Sequence, residues 1–577
     1  MAPVSEQVGT GQRDCARTAK PRSGNGISAL GGCCVESAVV PEPGGDVPTS
    51  EDGVAGREVS ATGRRLSRPG LAALLIGSGG VLWRAVLVLA GAPPTNSDEA
   101  TMGLAALHIA TGVGHPVWFY GQAYMGTLEA YLAAPLVGLF GTGTAVLRLP
   151  VLVLYAVFLV LAFRLTKALY SPWLAVFVVG VLALGGDRVV KNQLITAGGY
   201  PEILPAAAVL MLLSVVLSTT GGRPRWRLVA FAGWGLTAGL CLWVDWLVLP
   251  YVGAAGLLLV VGCRRELWGR AGGLLAAGVL AGSAPLILYN LSAPAGQDSL
   301  SVYERISAAG SAGLGGRLYG GVFLGIPLAS GFCAPSRCAP PVRAWGLAYV
   351  VLLVIALVLA VRAARRTTGA VRMRELGRLA LLVAAALTLL AYVRSAGSAG
   401  SPIESARYLH CLLVSTPAML WPLWRLAAEP RHWPRLSARI ALVAVLACAV
   451  MATVALTIEV PRYRRLVTQQ QELISALDRA GATRIYGEYW TCDRIVFATR
   501  ERILCAVLAD DLTPGFDRDP PYRAAVDAAD RPAYVLPAGS PIDRTFVQHL
   551  AATGTTLTPI EAGGYHIYLP PGRLPAR

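Results

Sequence analysis

Long apolar runs alternate with short polar gaps over most of this chain. Segments of bilayer length fall at roughly 69–91, 147–167, 171–187, 202–219, 227–244, 247–263, 271–289, 343–362, 377–394, 408–425 and 437–457, about eleven spans by window hydropathy. They predict an all-α polytopic membrane domain over 67–457, with a first loop at 92–146. Residues 1–66 are rich in Gly, Ser, Pro and mixed charges, with no apolar period, which predicts a disordered cytoplasmic tail. Nothing near Met1 reads as the apolar core of a cleaved signal. Beyond residue 457 the pattern changes again. Val467–Ala480 reads as an amphipathic helix, and Arg484–Trp490, Arg494–Ala498 and Ile503–Leu508 read as strands. Apolar runs at Ala533–Leu536 and Tyr565–Leu569 bracket a helix over Ile542–Ala552. Residues 458–577 are therefore expected to form a small α/β domain, and without a GxGxxG it offers no dinucleotide site.

Composition agrees with the pattern. The chain is 54% hydrophobic and 15% charged, with a mean hydropathy of +0.54, against about a quarter charged in soluble domains. The net charge of +16 would suggest nucleic acid if it were spread evenly, but it gathers in alternate gaps. Arg64, Arg65 and Arg68 precede the first span, and Arg164 and Lys167 follow the second. Arg223, Arg225 and Arg227 fill a later gap, as do Arg264, Arg265 and Arg270. Arg362, Arg365, Arg366, Arg372 and Arg374 come next, then Arg425, Arg431 and Arg435. That is the positive-inside pattern, so the excess charge reads as topology, with the lipid bilayer as partner and no nucleic acid. A multi-pass plasma-membrane protein with a cytoplasmic N-terminus follows. The loops at 92–146, 188–201, 290–342 and 395–407 then share the extracytoplasmic side with 458–577, and that side is the expected working face.

The chemistry concentrates in 93–131. Asp98 and Glu99 follow the first span, Trp118-Phe119-Tyr120-Gly121-Gln122 makes an aromatic turn, and Glu129 sits on the next helix. Carboxylates at the lip of a span are costly unless something charged meets them. Asn96-Ser97-Asp98-Glu99 also reads as a capping box, with Asn96 at the N-cap and Glu99 at N3. Glu202 after Gly198-Gly199-Tyr200-Pro201, and Asp245 between Trp243 and Trp246, admit capping and interfacial readings beside a binding role. The candidate cations on this side are Arg188, Lys191, Arg394 and Arg407. Arg407 opposes the positive-inside trend, so it pairs either with Glu404 or with an anionic headgroup. Carboxylates and arginines converging on one membrane face suit a phosphate-bearing lipid substrate. A carboxylate would serve as general base on an acceptor hydroxyl. Arginine, or a divalent metal (Mg, Mn or Zn) held by Asp98 and Glu99, would stabilise the leaving phosphate. On the same side, Cys333 with Cys338 and Cys492 with Cys505 are expected disulfides, since the CxxC spacing and neighbouring histidines of a zinc site are missing.

Asp98-Glu99-Ala100, then Phe119-Tyr120-Gly121-Gln122-Ala123-Tyr124, a Glu-bearing helix, Phe140-Gly141 and Arg148-Leu149-Pro150 occur in an order that resembles the GT-C superfamily of membrane glycosyltransferases. The likeness is to its protein O-mannosyltransferase and aminoarabinose-transferase-like branch, glycosyltransferase family 39. It covers about 70–460 and is most specific in 93–150. The resemblance implies a polyprenyl-phosphate-linked sugar donor, inverting transfer on the extracytoplasmic face, and a first-loop acid as catalytic base, which falls on Asp98 with Glu99 adjacent. Tyr120, Gln122, Tyr124, Glu129, Lys191, Glu202, Asp245, Arg407 and Tyr408 are the expected substrate-binding residues. The Arg407-Tyr408-Leu409 entry looks like the family's donor-phosphate region. Where members often carry Lys or His-Pro-Pro, this chain has Gln122-Ala123-Tyr124-Met125-Gly126. The resemblance leads to the expectation of a glycan, lipid or protein acceptor and of a role in cell-envelope or protein glycosylation. Two other readings stand beside an enzyme: a transporter or flippase for a lipid-linked saccharide, which should show repeats and broken helices, and a non-catalytic assembly protein presenting 458–577.

Overall fold

The computed structural model describes residues 67–307, 313–334 and 338–574. The expected tail at 1–66, with Cys15, Cys33 and Cys34, lies outside the described residues. Nine described helices are long and apolar enough to cross a membrane, beginning with α1 (Arg68–Leu89) and ending with His432–Arg479. The protein is a multi-pass membrane protein built mainly of helix.

Two of the eleven expected spans take other forms. The 171–187 segment is α5 (Pro172–Ala183), which breaks at Leu184-Gly185-Gly186 and resumes as α6 (Asp187–Leu194) at 89° to it. A helix broken inside apolar surroundings leaves carbonyls without donors. Arg84 of α1, fully buried, supplies them: its Nη1 donates to Ala183 O at 2.7 Å and its Nη2 to Leu184 O at 3.4 Å. Its Nε and Nη2 also donate to Gln193 Oε1 of α6, and the guanidinium lies 3.9 Å from the Tyr155 ring centroid. The 408–425 segment is a 3-10 stretch, Ala406–Ser415, followed by a short α-helix, Thr416–Ala427. Hydropathy windows read apolarity and miss both the right-angle break and the 3-10 stretch.

Between α1 and the next span lies a compact layer. It holds α2 (Ser97–Thr111), the ribbon β1 (Trp118–Phe119) with β2 (Gln122–Gly126), and α3 (Leu128–Phe140). The span α4 (Thr144–Leu169) follows, and after α6 comes the span α7 (Tyr200–Thr219). Asn96 caps α2, accepting from Glu99 N at 2.9 Å, and Gly112 ends it at φ 72°, the left-handed conformation that glycine tolerates.

The C-terminal part forms a five-stranded sheet in the order β4 (Leu504–Val507), β3 (Arg484–Gly487), β5 (Ala533–Pro537), β7 (Tyr565–Tyr568), β6 (Ile560–Ala562). β3 pairs parallel with β4 and β5, while β7 runs antiparallel to β5 and β6. Residues 494–498, expected as a strand, belong instead to the helix Tyr489–Ala498 that crosses over from β3 to β4. The parallel pairing requires such a crossover. Cys492 of that helix is bonded to Cys505 of β4, and Cys333 to Cys338.

The helix expected at 467–480 is not separate. It is the end of the 48-residue helix His432–Arg479, about 70 Å long at 1.5 Å per residue, more than twice the apolar thickness of a bilayer. Its last turns bury Leu473, Ala476 and Leu477 in one core with Ala100, Leu104, Ala105 and Leu107 of α2, Ala130 and Ala133 of α3, and Ile485, Ile495 and Phe497 of the sheet region. The first loop and the C-terminal region therefore share a single hydrophobic core. Gly103 makes the close approach possible, because a Cβ there would stand 2.6 Å from the Phe497 ring. Gly103→Val should destabilise this contact by about 1–3 kcal/mol, the usual cost of overpacking. Faster limited proteolysis between residues 480 and 574 is the readout, and unchanged cleavage would count against the shared core.

Candidate functional site

Asp98 and Glu99 are neighbours on the first turn of α2, and they serve different arginines. Glu99 is turned inward: Arg148 of α4 donates from Nε to Oε1 and from Nη2 to Oε2, both at 2.6 Å, and both side chains are almost wholly buried (0% and 1% exposed). Arg148 Nη1 completes its donors on Pro93 O at 2.8 Å. The N-cap half of the expected capping box is present, but the Glu99 carboxylate spends both oxygens on Arg148 and not on the Asn96 backbone. A catalytic or metal-binding Glu99 would have to break a buried bidentate pair.

Asp98 faces the opposite way, toward the C-terminal region. Its Oδ1 accepts from the Tyr489 hydroxyl at 2.6 Å and from Arg518 Nη2 at 2.7 Å. Arg518 also donates from Nε to the Tyr489 hydroxyl oxygen at 2.7 Å and from Nη1 to Tyr120 O at 3.0 Å, and it sits 4.3 Å from the Phe119 ring centroid. No described residue donates to Asp98 Oδ2, and the side chain keeps a fifth of its surface exposed. One oxygen is anchored and the other is open.

Three cations gather nearby. Arg188 and Lys191 lie one turn apart on α6, and Arg407 opens the 3-10 stretch. Arg188 and Arg407 lie within electrostatic reach of Lys191, and Asp98 lies within reach of Arg407. Arg188 is buried and its Nε has no hydrogen-bond partner among the described residues; the same holds for Arg407 Nε. Arg407 lies between the rings of Tyr200 (5.5 Å) and Tyr408 (5.6 Å), and the alternative bridge to Glu404 is not formed among the described residues. Like charges brought together out of water repel strongly unless an anion joins them.

Below this lies a cluster of acids. Glu129 accepts from Gly198 N and Gly199 N at 3.2 and 3.1 Å, and its carboxyl lies against that of Glu202. Burial and the facing Glu202 hold Glu129 well above the usual carboxylate range, while the two glycine N–H groups pull it down. Asp245 Oδ1 accepts from Leu247 N at 2.8 Å, which caps the turn after its span, and Asp245 faces Arg407 and Glu129. Tyr124 faces Arg407, Asp245 and Tyr408. Tyr120 is tied elsewhere, with its hydroxyl 2.6 Å from His108 Nδ1, so its carbonyl and not its ring reaches the site. Gln122 starts β2 opposite Phe119, and its side chain makes no hydrogen bond among the described residues.

The structure thus brings together Asp98, Tyr124, Lys191, Arg407 and Tyr408, with Glu129, Glu202 and Asp245 below them. Sequence reasoning missed Arg518 and Tyr489. A divalent metal at Asp98 and Glu99 does not fit the donor set: the two carboxylates point to different arginines, and among the described residues no three His, Cys, Asp or Glu side chains converge as ligands.

No protein-family model matches this chain, and no curated protein matches it. Solved structures do. ArnT from Cupriavidus metallidurans bound to undecaprenyl phosphate aligns with a TM-score of 0.57 at 14% identity, covering 87% of this chain and 98% of that one. Its apo state aligns at 0.56 and 13% identity, covering 86% and 97%. The Archaeoglobus fulgidus oligosaccharyltransferase in complex with Zn and sulfate reaches 0.46 at 10% identity, covering 84% of this chain and 70% of that one. The chain shares the fold of the ArnT structures, an all-α membrane domain with a small α/β region at its C-terminal end.

Two predictions follow from the ion pair and from a second buried acid. Glu99→Gln should lower stability by about 3–5 kcal/mol, because it strands Arg148 in the interior; a thermal melt matching wild type would show the pair to be dispensable. Asp493, on the helix Tyr489–Ala498, accepts from the Thr101 hydroxyl of α2 at 2.6 Å. Burial pushes its carboxyl up to about 6, with Thr101 and Arg518 opposing. An acid raised in the folded chain binds its proton more tightly there than when unfolded. Its contribution is therefore greatest below about pH 4 and is lost as pH rises through about 6. Asp493→Asn should remove that part of the pH dependence of melting.

Proposed function

We propose that this protein is a glycosyltransferase that moves a sugar from a polyprenyl-phosphate-linked donor to an acceptor hydroxyl on the extracytoplasmic face of the membrane. The observation that carries the reading is the cluster of Arg188, Lys191 and Arg407, in which Arg188 Nε and Arg407 Nε have no hydrogen-bond partner among the described residues, beside a carboxylate with one open oxygen. Such a pocket is built for an anion next to a base. The fold supports it by analogy, since the ArnT structure holds undecaprenyl phosphate. The arginine-rich alternate gaps support the sidedness.

In this reading Asp98 Oδ2 accepts the proton of the acceptor hydroxyl as that oxygen bonds to the anomeric carbon. The bond from the anomeric carbon to the phosphate oxygen breaks, and the lipid phosphate leaves with the electron pair. Lys191, Arg188 and Arg407 take up the charge that develops on it. Attack opposite the leaving group inverts the anomeric centre. No step passes through a metal. Tyr124 and the acids below are placed to meet the sugar. The broken α5–α6 pair keeps a flippase as the second reading, since transporters use such breaks.

The test is turnover of a panel of polyprenyl-phosphate sugars by purified protein in lipid, wild type beside Asp98→Asn. Wild type should release polyprenyl phosphate, and Asp98→Asn should be slower by about 10³-fold, within the range for loss of a general base. Movement of intact donor across the bilayer without cleavage would favour the flippase. Turnover by Asp98→Asn at the wild-type rate would remove the base assignment.

A further inference from the structure

We infer that the C-terminal region completes the reaction centre, with Arg518 and Tyr489 as positioning residues for Asp98. The inference rests on the reading of Asp98 as the base. Three observations carry it. Arg518 is almost fully buried, yet its whole donor set is directed at the rim of the first loop: Nη2 to Asp98 Oδ1, Nε to Tyr489, which itself donates to Asp98 Oδ1, and Nη1 to Tyr120 O. The two donors converge on one oxygen of Asp98 and leave Oδ2 to the substrate. The guanidinium is also held in place from outside, with ring centroids of Phe119, Tyr489 and Phe516 at 4.3, 5.5 and 5.5 Å.

A domain that merely rested on the first loop would need apolar contact alone, and the core around Phe497 already provides it. The Arg518 fork adds a fixed rotamer for the carboxylate. A general base works only when its free lone pair is held within reach of the attacking hydroxyl, and small displacements there are costly. The surrounding contacts also tie this geometry to the domain as a body. Ser97 donates from its hydroxyl to Tyr489 O, next to Asp98, and His108 bridges Tyr120 to Glu501. The C-terminal region thereby sets the orientation of the base.

The experiment compares full-length wild type, Arg518→Ala, Arg518→Lys and Tyr489→Phe with one polyprenyl-phosphate sugar that the wild type turns over. Arg544→Ala, at an exposed position of the helix Pro541–Ala552 in the same region, serves as the control. Arg518→Ala should lower kcat by about 10²-fold, the scale of a displaced catalytic group, with donor KM changed less than about threefold. Arg518→Lys should fall between, and Tyr489→Phe should lose about tenfold. Added guanidinium should restore part of the Arg518→Ala rate, a response that a detached domain would not give. A wild-type kcat in Arg518→Ala, or a loss in which KM rises as kcat falls and guanidinium has no effect, would overturn the inference while leaving Asp98→Asn to judge the base. If the wild type cleaves no donor, the reading falls and this inference falls with it.

Discussion

The buried pair between Glu99 and Arg148 fixes the rest of the site. Arg148 stands on the first turns of a membrane span, and Glu99 on the first turn of α2. Two charges taken out of water are tolerable only with close geometry and all donors satisfied, and here the guanidinium also finds Pro93 O. The pair docks α2 on the span at one rotation about its axis. Consecutive residues on a helix point about 100° apart, so once Glu99 is committed inward Asp98 must face away, toward the C-terminal region. The adjacent acids thus divide into a buried anchor, Glu99, and a carboxylate that meets the C-terminal region, Asp98.

A second constraint comes from the broken helix. Stopping α5 at Ala183 and restarting the chain at right angles turns Arg188 and Lys191 toward Arg407. Arg84 makes the break tolerable by donating to the stranded carbonyls. Without such a donor, unsatisfied carbonyls at this depth would cost several kcal/mol each. A charge buried for structure in one helix thus permits two cations to be carried on another. The long final helix does the equivalent for the C-terminal region, carrying it from the membrane to the first loop without a flexible joint.

Much of this was legible in the sequence. Nine of the spans announce themselves by hydropathy, and β3, β4, β5 and β7 fall where β-branched and aromatic runs predict, while 494–498 is helix and β6 was not anticipated. Asp98, Lys191, Arg407 and Glu129 could be singled out because charge near a bilayer is costly and so needs a reason. What escaped was long-range. Asp98 and Arg518 are separated by 420 positions, and nothing periodic links Asp517-Arg518-Asp519 to an acid in the first loop. The assignment of Glu99 to Arg148 escaped for the same reason: a capping box is a local pattern, and a partner 49 residues away outcompeted it. The 494–498 segment is apolar enough for either element, and only the parallel pairing of β3 with β4 demands a helix there.

We propose that Arg188, Lys191 and Arg407 bind a lipid phosphate. It is tested most directly by equilibrium binding of a polyprenyl phosphate and of the same polyprenol without its phosphate, to wild type and to Lys191→Ala. Each charge-assisted contact contributes about 1.5–3 kcal/mol. The phosphate form should therefore bind wild type at least about tenfold more tightly than the alcohol, with most of that preference gone in the variant. Equal affinity for the two lipids in the wild type would contradict the account.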